Sequence, residues 1–151
     1  MPSSNTSTRD QLLSAAHAFC NSFANKEAPE KIFSHFSTSD DVLALEHGLP
    51  QLAPFLGREF RGQQGLQEYF QLLSSKLSYE NMSFSNFVID AEVSKVSVRG
   101  NAKFTWTSTG QSWDEVFTYV LEFDTHNKVK VYEIWADSGA AYLASKGRLD
   151  Q

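Results

Sequence analysis

Four strand-like segments follow one another in the second half of the chain, and they constrain the fold more than any other feature. Each is rich in apolar and aromatic residues, and turn-forming residues separate them, which is typical of an antiparallel meander. Helical segments precede them, and helices followed by an antiparallel sheet predict an α+β fold. The predicted strands span residues 80–91, 95–108, 112–124 and 128–137.

The first half of the chain predicts the helices that would cover this sheet. Residues 9–25 and 62–77 place apolar side chains on one face at helical spacing, and residues 27–36 predict a short helix between them. Residues 42–47 predict a short strand. The segment 48–61 contains two prolines and predicts an irregular loop, and a loop of this length is usually functional.

The length of 151 residues fits one domain, and no linker or internal repeat divides the chain. We therefore predict a disordered N-terminal tail at residues 1–8, a single domain at 9–146 and a C-terminal tail at 147–151. The chain is long enough to bury its core without disulfides or metals. Aromatic residues make up 13% of it, which predicts either a thick core or an aromatic-lined cavity.

Charge and motifs exclude several classes of function. The net charge of -5 and pI of about 5.3 disfavour nucleic-acid binding, because an acidic surface repels phosphates. No apolar run or basic cluster indicates a membrane partner, and no secretory signal is evident, so we expect a cytoplasmic protein. His17 and Cys20 lack a second metal-ligating pair, and no phosphate-binding or nucleophile-elbow motif is present. We expect neither a metal nor a cofactor.

Turn residues predict how the last three strands pair. Thr109-Gly110 suits a two-residue turn that sets Trp106 opposite Trp113. Residues 125–127 suit a three-residue turn with Asn127 in the left-handed position. This second turn pairs Asp124 with Lys128 and Glu122 with Lys130, and opposite charges across from each other support it.

These two registers predict which side chains share a face of the sheet, since side chains alternate along a strand. We assign the bulkier, carboxylate-bearing face to a cavity beneath the helices, and a one-residue slip in either turn would reverse part of the assignment. That face comprises Phe104, Trp106, Trp113, Glu115, Phe117, Tyr119, Leu121, Val131, Glu133, Trp135 and Asp137.

The opposite face of the sheet predicts a partner. It carries smaller apolar residues, namely Val116, Thr118, Val120, Tyr132, Ile134 and Ala136. An exposed apolar sheet face of this size usually marks an interface, and a second copy of the same sheet is the simplest cover. We therefore expect a homodimer through the convex face of the sheet.

The whole pattern resembles the SnoaL-like branch of the nuclear-transport-factor-2-like (NTF2-like) superfamily over residues 10–145. The resemblance implies a cone in which a curved sheet wraps around helices, a deep apolar pocket, and commonly a homodimer. It is carried by the order of the helices and by Gly57…Gly62…Tyr69-Phe70, Phe123-Asp124…Lys128-Val129 and Val131-Tyr-Glu-Ile-Trp-Ala-Asp137.

The same resemblance implies a range of activities. Members of the family include polyketide cyclases, dehydratases, isomerases and hydrolases of small lipophilic molecules, as well as non-catalytic binding modules. In the cyclases an Asp near the end of the last long strand acts as acid and base, and the matching residue here is Asp137. The segment from Tyr132 to Ala141 is similar to fungal members, which implies a role in secondary metabolism. Fold alone does not give function.

Carboxylates on an aromatic wall predict acid–base chemistry, because burial raises a carboxyl pKa toward the range useful at neutral pH. We expect Asp137 and Glu115 to exchange protons with a small lipophilic substrate, and Tyr119, held by Glu133, to donate to a developing oxyanion. Since Glu46 and His47 end the first strand, one of them faces inward, and His47 is our candidate. The expected substrate-binding residues are Trp106, Trp113, Phe117, Trp135, Phe104 and Tyr69.

Two functions remain open from the sequence. The first is a cofactor-independent isomerase, cyclase or dehydratase that acts on a small lipophilic, secondary-metabolite substrate. The second is a non-catalytic module that binds a small molecule or dimerises. Carboxylates near strand ends are often simply solvated, and tryptophans on one face often form core, so the face assignment alone does not decide between the two.

Overall fold

The computed structural model of the protein describes residues 8–150, which form a mixed α+β structure with one six-stranded sheet. The predicted α+β class is confirmed. None of the described helices is long and apolar enough to cross a membrane. The elements are α1 (Arg9–Ala24), α2 (Pro29–Phe33), β1 (Leu43–His47), β2 (Glu59–Arg61), α3 (Gly62–Lys76), β3 (Leu77–Asp90), β4 (Lys95–Trp106), β5 (Gln111–Phe123), β6 (Val129–Trp135) and α4 (Ser138–Ser145).

The sheet has the strand order β2-β1-β6-β5-β4-β3. β1 runs parallel to β6, and all other neighbours are antiparallel. The segment 48–61 was predicted to be irregular throughout, but its last residues form the edge strand β2, which pairs with β1 through Ala44 and Phe60. The β1–β6 pairing sets Glu46 beside Ile134.

Helix α1 forms because its apolar residues repeat at helical spacing and because its N-terminus is capped. Thr8 accepts a hydrogen bond from the Gln11 amide, while the Gln11 side chain accepts one from the Thr8 amide, which together make a capping box. The helix buries one face against the sheet, and the Phe19 ring packs edge-on against Phe36 and Tyr132. Cys20 is fully buried on this face, as predicted for a core residue.

Two bulges curve the edge strand β3. Its pairing with β4 shifts register between Glu80 and Ser83 and again between Ser85 and Val88. Asn81 and Asn86 lie in these interruptions, each with a φ of 57°. Asn tolerates the left-handed conformation better than most residues, and a bulge bends and twists its strand. These positions let the sheet curl around the space beneath it.

The β4–β5 turn has four residues, Thr107 to Gly110, instead of the predicted two. Trp106 pairs with Gln111, and the Gly110 amide donates to the Trp106 carbonyl at 2.8 Å with φ at 73°. The true partner of Trp113 is therefore Phe104, and the predicted Trp106–Trp113 pairing is wrong. Because the error is two residues, the predicted face of both strands is preserved.

The β5–β6 hairpin contains a bulge that reverses the predicted face of β6. The turn itself is as predicted, since Asp124 pairs with Lys128 and Asn127 has a positive φ of 59°. Phe123 then pairs with Val129, but the next residue of β5, Glu122, pairs with Val131. Lys130 is therefore the extra residue that β6 contributes to the bulge. Tyr132, Ile134 and Ala136 consequently face the helices. Val131, Glu133 and Trp135, assigned to the cavity from the sequence, lie on the outer face.

Candidate functional site

A cavity of about 590 Å³ lies between the inner face of the sheet and helices α2 and α3. This volume is within the usual range for a small-molecule site. Its wall is predominantly aromatic and aliphatic, with a few convergent polar groups. Among the rings that line it are Phe23, Phe70, Phe104, Trp113, Phe117 and Tyr119.

The structure brings together most of the residues that the sequence assigned to the site. The following predicted residues line the cavity: Tyr69, Phe104, Trp113, Glu115, Phe117, Tyr119 and Asp137. The placement of Trp113, Glu115, Phe117 and Tyr119 follows from the preserved face of β5. Whether each of them takes part in binding or chemistry stays a prediction.

Four predicted residues do not line the cavity. The bulge in β6 turns Glu133 and Trp135 to the outer face, where His47 joins them because β1 pairs with β6 in parallel. The His47 ring stacks on Trp135 with centroids 4.3 Å apart, and His47 Nε2 lies 2.8 Å from Glu133 Oε2. Trp106 has the expected face but lies at the end of the hairpin, buried against Phe55. The expected contact between Glu133 and Tyr119 is therefore wrong.

Glu115 extends from the centre of β5 into the cavity and is only 7% exposed. Its Oε1 accepts hydrogen bonds from Trp113 Nε1, at 2.9 Å, and from the Asp137 amide, at 3.2 Å. Burial raises the pKa of Glu115 to about 7, although these two donors oppose the rise. Within residues 8–150 no donor engages Oε2, which leaves this oxygen available to a ligand.

Glu46 is a second cavity carboxyl, which the sequence interpretation passed over in favour of His47. It is the penultimate residue of β1, is 7% exposed, and accepts a hydrogen bond from the Tyr69 hydroxyl at 2.7 Å. Burial raises the pKa of Glu46 to about 7, the Tyr69 bond lowers it and the nearby charge of Glu115 raises it. The inward face of β1 carries Val42, Ala44 and Glu46, whereas the larger Leu43 and Leu45 face outward.

Two further tyrosines lie deep in the same wall. The Tyr119 and Tyr132 rings pack edge-on with centroids 4.9 Å apart. Burial is the largest cause that raises the pKa of both phenols well above the usual range, so both stay protonated at neutral pH. Tyr119 lines the cavity, and a protonated phenol can donate a hydrogen bond to a ligand oxygen.

Asp137 lies at the edge of the cavity but has a structural task. Its Oδ1 accepts from the Ala140 amide at 3.0 Å and caps α4, and the side chain is exposed. Its backbone amide holds Glu115. The residue that the family resemblance favours as acid and base therefore supports Glu115 through its main chain.

The described part of the chain contains no group of three or more His, Cys, Asp or Glu side chains arranged to hold a metal ion. The polar groups that converge on the cavity are carboxyls and phenols. Such a set can accept, donate and relay protons, and it can donate hydrogen bonds to a substrate oxygen.

Solved structures with the same fold are numerous, although the sequence itself has no close match. No protein-family model matches the sequence, and no curated protein matches it significantly. An NTF2-like protein of unknown function from Burkholderia pseudomallei K96243 is 12% identical, with a TM-score of 0.74 over 89% of this chain and 96% of that one. TerC, co-crystallised with polyporic acid, is 18% identical, with a TM-score of 0.75 over 90% and 98% of the two chains.

A candidate SnoaL-like polyketide cyclase from Jannaschia sp. CCS1 is 10% identical, with a TM-score of 0.72 over 90% of this chain and 92% of that one. At these identities the likeness concerns the fold, and the fungal source and the cytoplasmic location stay predictions. The fold predicted from the sequence is confirmed: the chain has the NTF2-like cone, in which a curved sheet and its helices enclose a cavity.

Proposed function

We propose that the protein is a cofactor-independent acid–base enzyme of the isomerase, cyclase or dehydratase type. Its substrate would be a small lipophilic molecule of the kind made in secondary metabolism. The proposal rests on one observation: two nearly buried carboxyls, Glu46 and Glu115, each have a free oxygen in an aromatic cavity and a pKa of about 7. A carboxyl with a pKa near the working pH can both accept and donate a proton.

The surroundings of the two carboxyls favour different roles. Glu115 has two donors on Oε1, which stabilise its ionised form and leave Oε2 to act as a base. Glu46 has one donor, from Tyr69, and the charge of Glu115 disfavours its ionisation. Near neutral pH each carboxyl is close to half protonated, and we assign Glu115 as the base and Glu46 as the acid from the number of donors that each accepts.

The tyrosines supply the remaining group that such chemistry needs. Removal of a proton next to a carbonyl places negative charge on the carbonyl oxygen. Tyr119, which stays protonated and lines the cavity, can donate a hydrogen bond to that oxygen. In a double-bond migration, Glu115 would take the α proton and return it to the γ carbon. In a dehydration, Glu46 would give its proton to the departing hydroxyl, which leaves as water.

The test uses cyclic β,γ-unsaturated ketones of one to three rings, beginning with cyclohex-3-enone, and follows formation of the conjugated ketone. We expect the wild type to accelerate the reaction and Glu115→Gln to lose about 10²-fold or more of the rate. Asp137→Asn should keep most of the rate, because Asn caps a helix about as well as Asp. Asp114→Asn is the matched control, since this exposed neighbour of Glu115 faces away from the cavity.

Two outcomes would count against the proposal. Full activity in Glu115→Gln would remove Glu115 as the base. No acceleration of any ketone, together with tight binding of the same compounds, would favour the non-catalytic binding module.

We also propose that a second copy of the chain covers the outer face of the sheet. Val116 is 53% exposed there and Trp135 44% exposed, on adjacent strands. His47 and Glu133 flank Trp135 through the stack and hydrogen bond described above. Exposed apolar residues with polar neighbours on one face of a sheet are typical of a symmetric interface.

A further inference from the structure

The charged groups that line the cavity are all acidic. They are Glu30, Glu46, Glu115 and Asp137, and no Lys, Arg or His of the described chain is among the lining residues. Glu46 and Glu115 are each only 7% exposed, and neither has a protein donor on Oε2. A buried carboxyl normally has a cation or several donors as partners.

The other groups around these carboxyls do not supply the missing positive charge. Tyr69, Tyr79, Tyr119 and Tyr132 line the cavity from α3, β3, β5 and β6, and burial raises the pKa of each phenol, so they stay neutral. Lys26 has its Nζ 5.1 Å from the Tyr79 ring centroid, but it is exposed and does not line the cavity.

We propose that the cavity selects its ligand by charge: it takes lipophilic molecules that are uncharged or positively charged, and it excludes those that carry a carboxylate or a phosphate. This selection by charge extends the proposed function. It rests on that function in one respect, namely that the molecule bound in the cavity is also the substrate. It assigns that substrate to a chemical class that the fold does not specify.

The reasoning follows from what each kind of ligand would meet. An anionic group in the cavity would face the free oxygens of Glu46 and Glu115 without a neutralising cation, and like charges at close range in an apolar site repel strongly. A hydroxyl or amine would find in the same oxygens good acceptors. A quaternary ammonium would also lie among aromatic faces, which attract cations.

The experiment measures binding without turnover, by isothermal titration calorimetry, with three probes of one shape. The neutral probe is 2-naphthylmethanol, the cationic probe is 2-naphthylmethyl-trimethylammonium, and the anionic probe is the carboxylate of 2-naphthaleneacetic acid. Each keeps its charge throughout pH 6 to 8. At pH 8 we expect the anion to bind at least about tenfold more weakly than the alcohol, and the cation to bind at least as tightly as the alcohol.

The pH dependence adds a second readout. As the pH rises from 6 to 8 the cavity carboxyls ionise, so the cation should bind more tightly, the anion more weakly, and the alcohol about the same. Glu115→Gln should reduce the cation–anion difference, whereas Glu68→Gln, an exposed residue outside the cavity, should leave it unchanged.

The proposal fails if the anion binds as tightly as the alcohol at pH 8, or if none of the probes binds up to its solubility limit. It also fails if the ratio of cation affinity to anion affinity does not rise between pH 6 and 8. These outcomes are distinguishable from failure of the acid–base proposal, because charge selection is measured in binding alone and ketone isomerisation in turnover alone.

Discussion

Replacing Glu115 by Gln should make the folded protein more stable at alkaline pH. The pKa of this carboxyl rises from 4.5 to about 7 on folding, mainly because the side chain is buried. One pKa unit corresponds to about 1.4 kcal/mol, so ionising Glu115 in the folded protein costs about 3 kcal/mol more than in the unfolded chain. Gln keeps the shape of the side chain and an oxygen that can accept from Trp113 and Asp137.

The sign of the effect follows from where the proton resides. Between pH 4.5 and about 7, the folded protein holds a proton on Glu115 that the unfolded chain has released. The contribution of Glu115 to the free energy of unfolding therefore falls as the pH rises through this range, and it stays constant above pH 7. At pH 8 the variant should exceed the wild type by up to about 3 kcal/mol. At pH 5 the difference should shrink to less than about 1 kcal/mol.

Urea unfolding at pH 5, 6, 7 and 8 measures this difference, provided that each transition is two-state. Asp114→Asn serves as control, because the residue is adjacent in β5 but exposed, and its difference from the wild type should not change with pH. A Glu115→Gln difference that is the same at all four values would refute the argument that burial raises the pKa of Glu115.

Three further predictions test other parts of the account. Tyr69→Phe removes the hydrogen bond that lowers the pKa of Glu46, so that pKa should rise above 7 in a carboxyl NMR titration, with a stability loss of about 1–3 kcal/mol. Gly100→Ala should weaken 2-naphthylmethanol binding about tenfold in calorimetry, because a Cβ there would lie 2.1 Å from the Phe117 ring and would push it into the cavity. Val116→Arg should convert a dimer at micromolar concentration into a monomer in light scattering, and a wild-type monomer would contradict the proposed interface.

Periodicity allowed the α+β class and most of the cavity wall to be predicted, whereas the cone was implied by the family resemblance. The helical repeat in α1 and the alternation along β5 survive small errors in turn geometry. The β4–β5 turn shows why: an error of two residues changed the cross-strand partner of Trp113 from Trp106 to Phe104 but left its face unchanged.

The β6 assignment was wrong because a bulge has no clear local sequence signal. The expected ion pair is present, since Lys130 Nζ lies 3.1 Å from Glu122 Oε2. The two residues are not cross-strand partners, however, because Glu122 pairs with Val131 at the bulge. The charge pattern of β6 does favour the observed face. The face with Tyr132 and Ile134 has no charged residue after Lys130, whereas the face that was predicted to point inward would have buried Glu133. The cost of burying a charge favours the register that the structure shows.

Glu46 was missed for a related reason. Size alone suggests that Leu43 and Leu45 face the core, which would turn His47 inward with them. Val42, Ala44 and Glu46 are buried, and the Glu46 carboxyl meets Tyr69, whereas Leu43 and Leu45 are only partly buried. The size of residues on a short strand does not reveal this, because the pairing of β1 with β6 fixes which residues face inward.

Titration of the glutamate side-chain carboxyls by ¹³C NMR tests the central claim most directly, with Glu46→Gln and Glu115→Gln used to assign their resonances. We predict that these two carboxyls titrate with midpoints of about 7, well above the 4.5 of an ordinary glutamate. Midpoints near 4.5 for both would mean that the cavity holds two permanently ionised groups and would contradict the acid–base account.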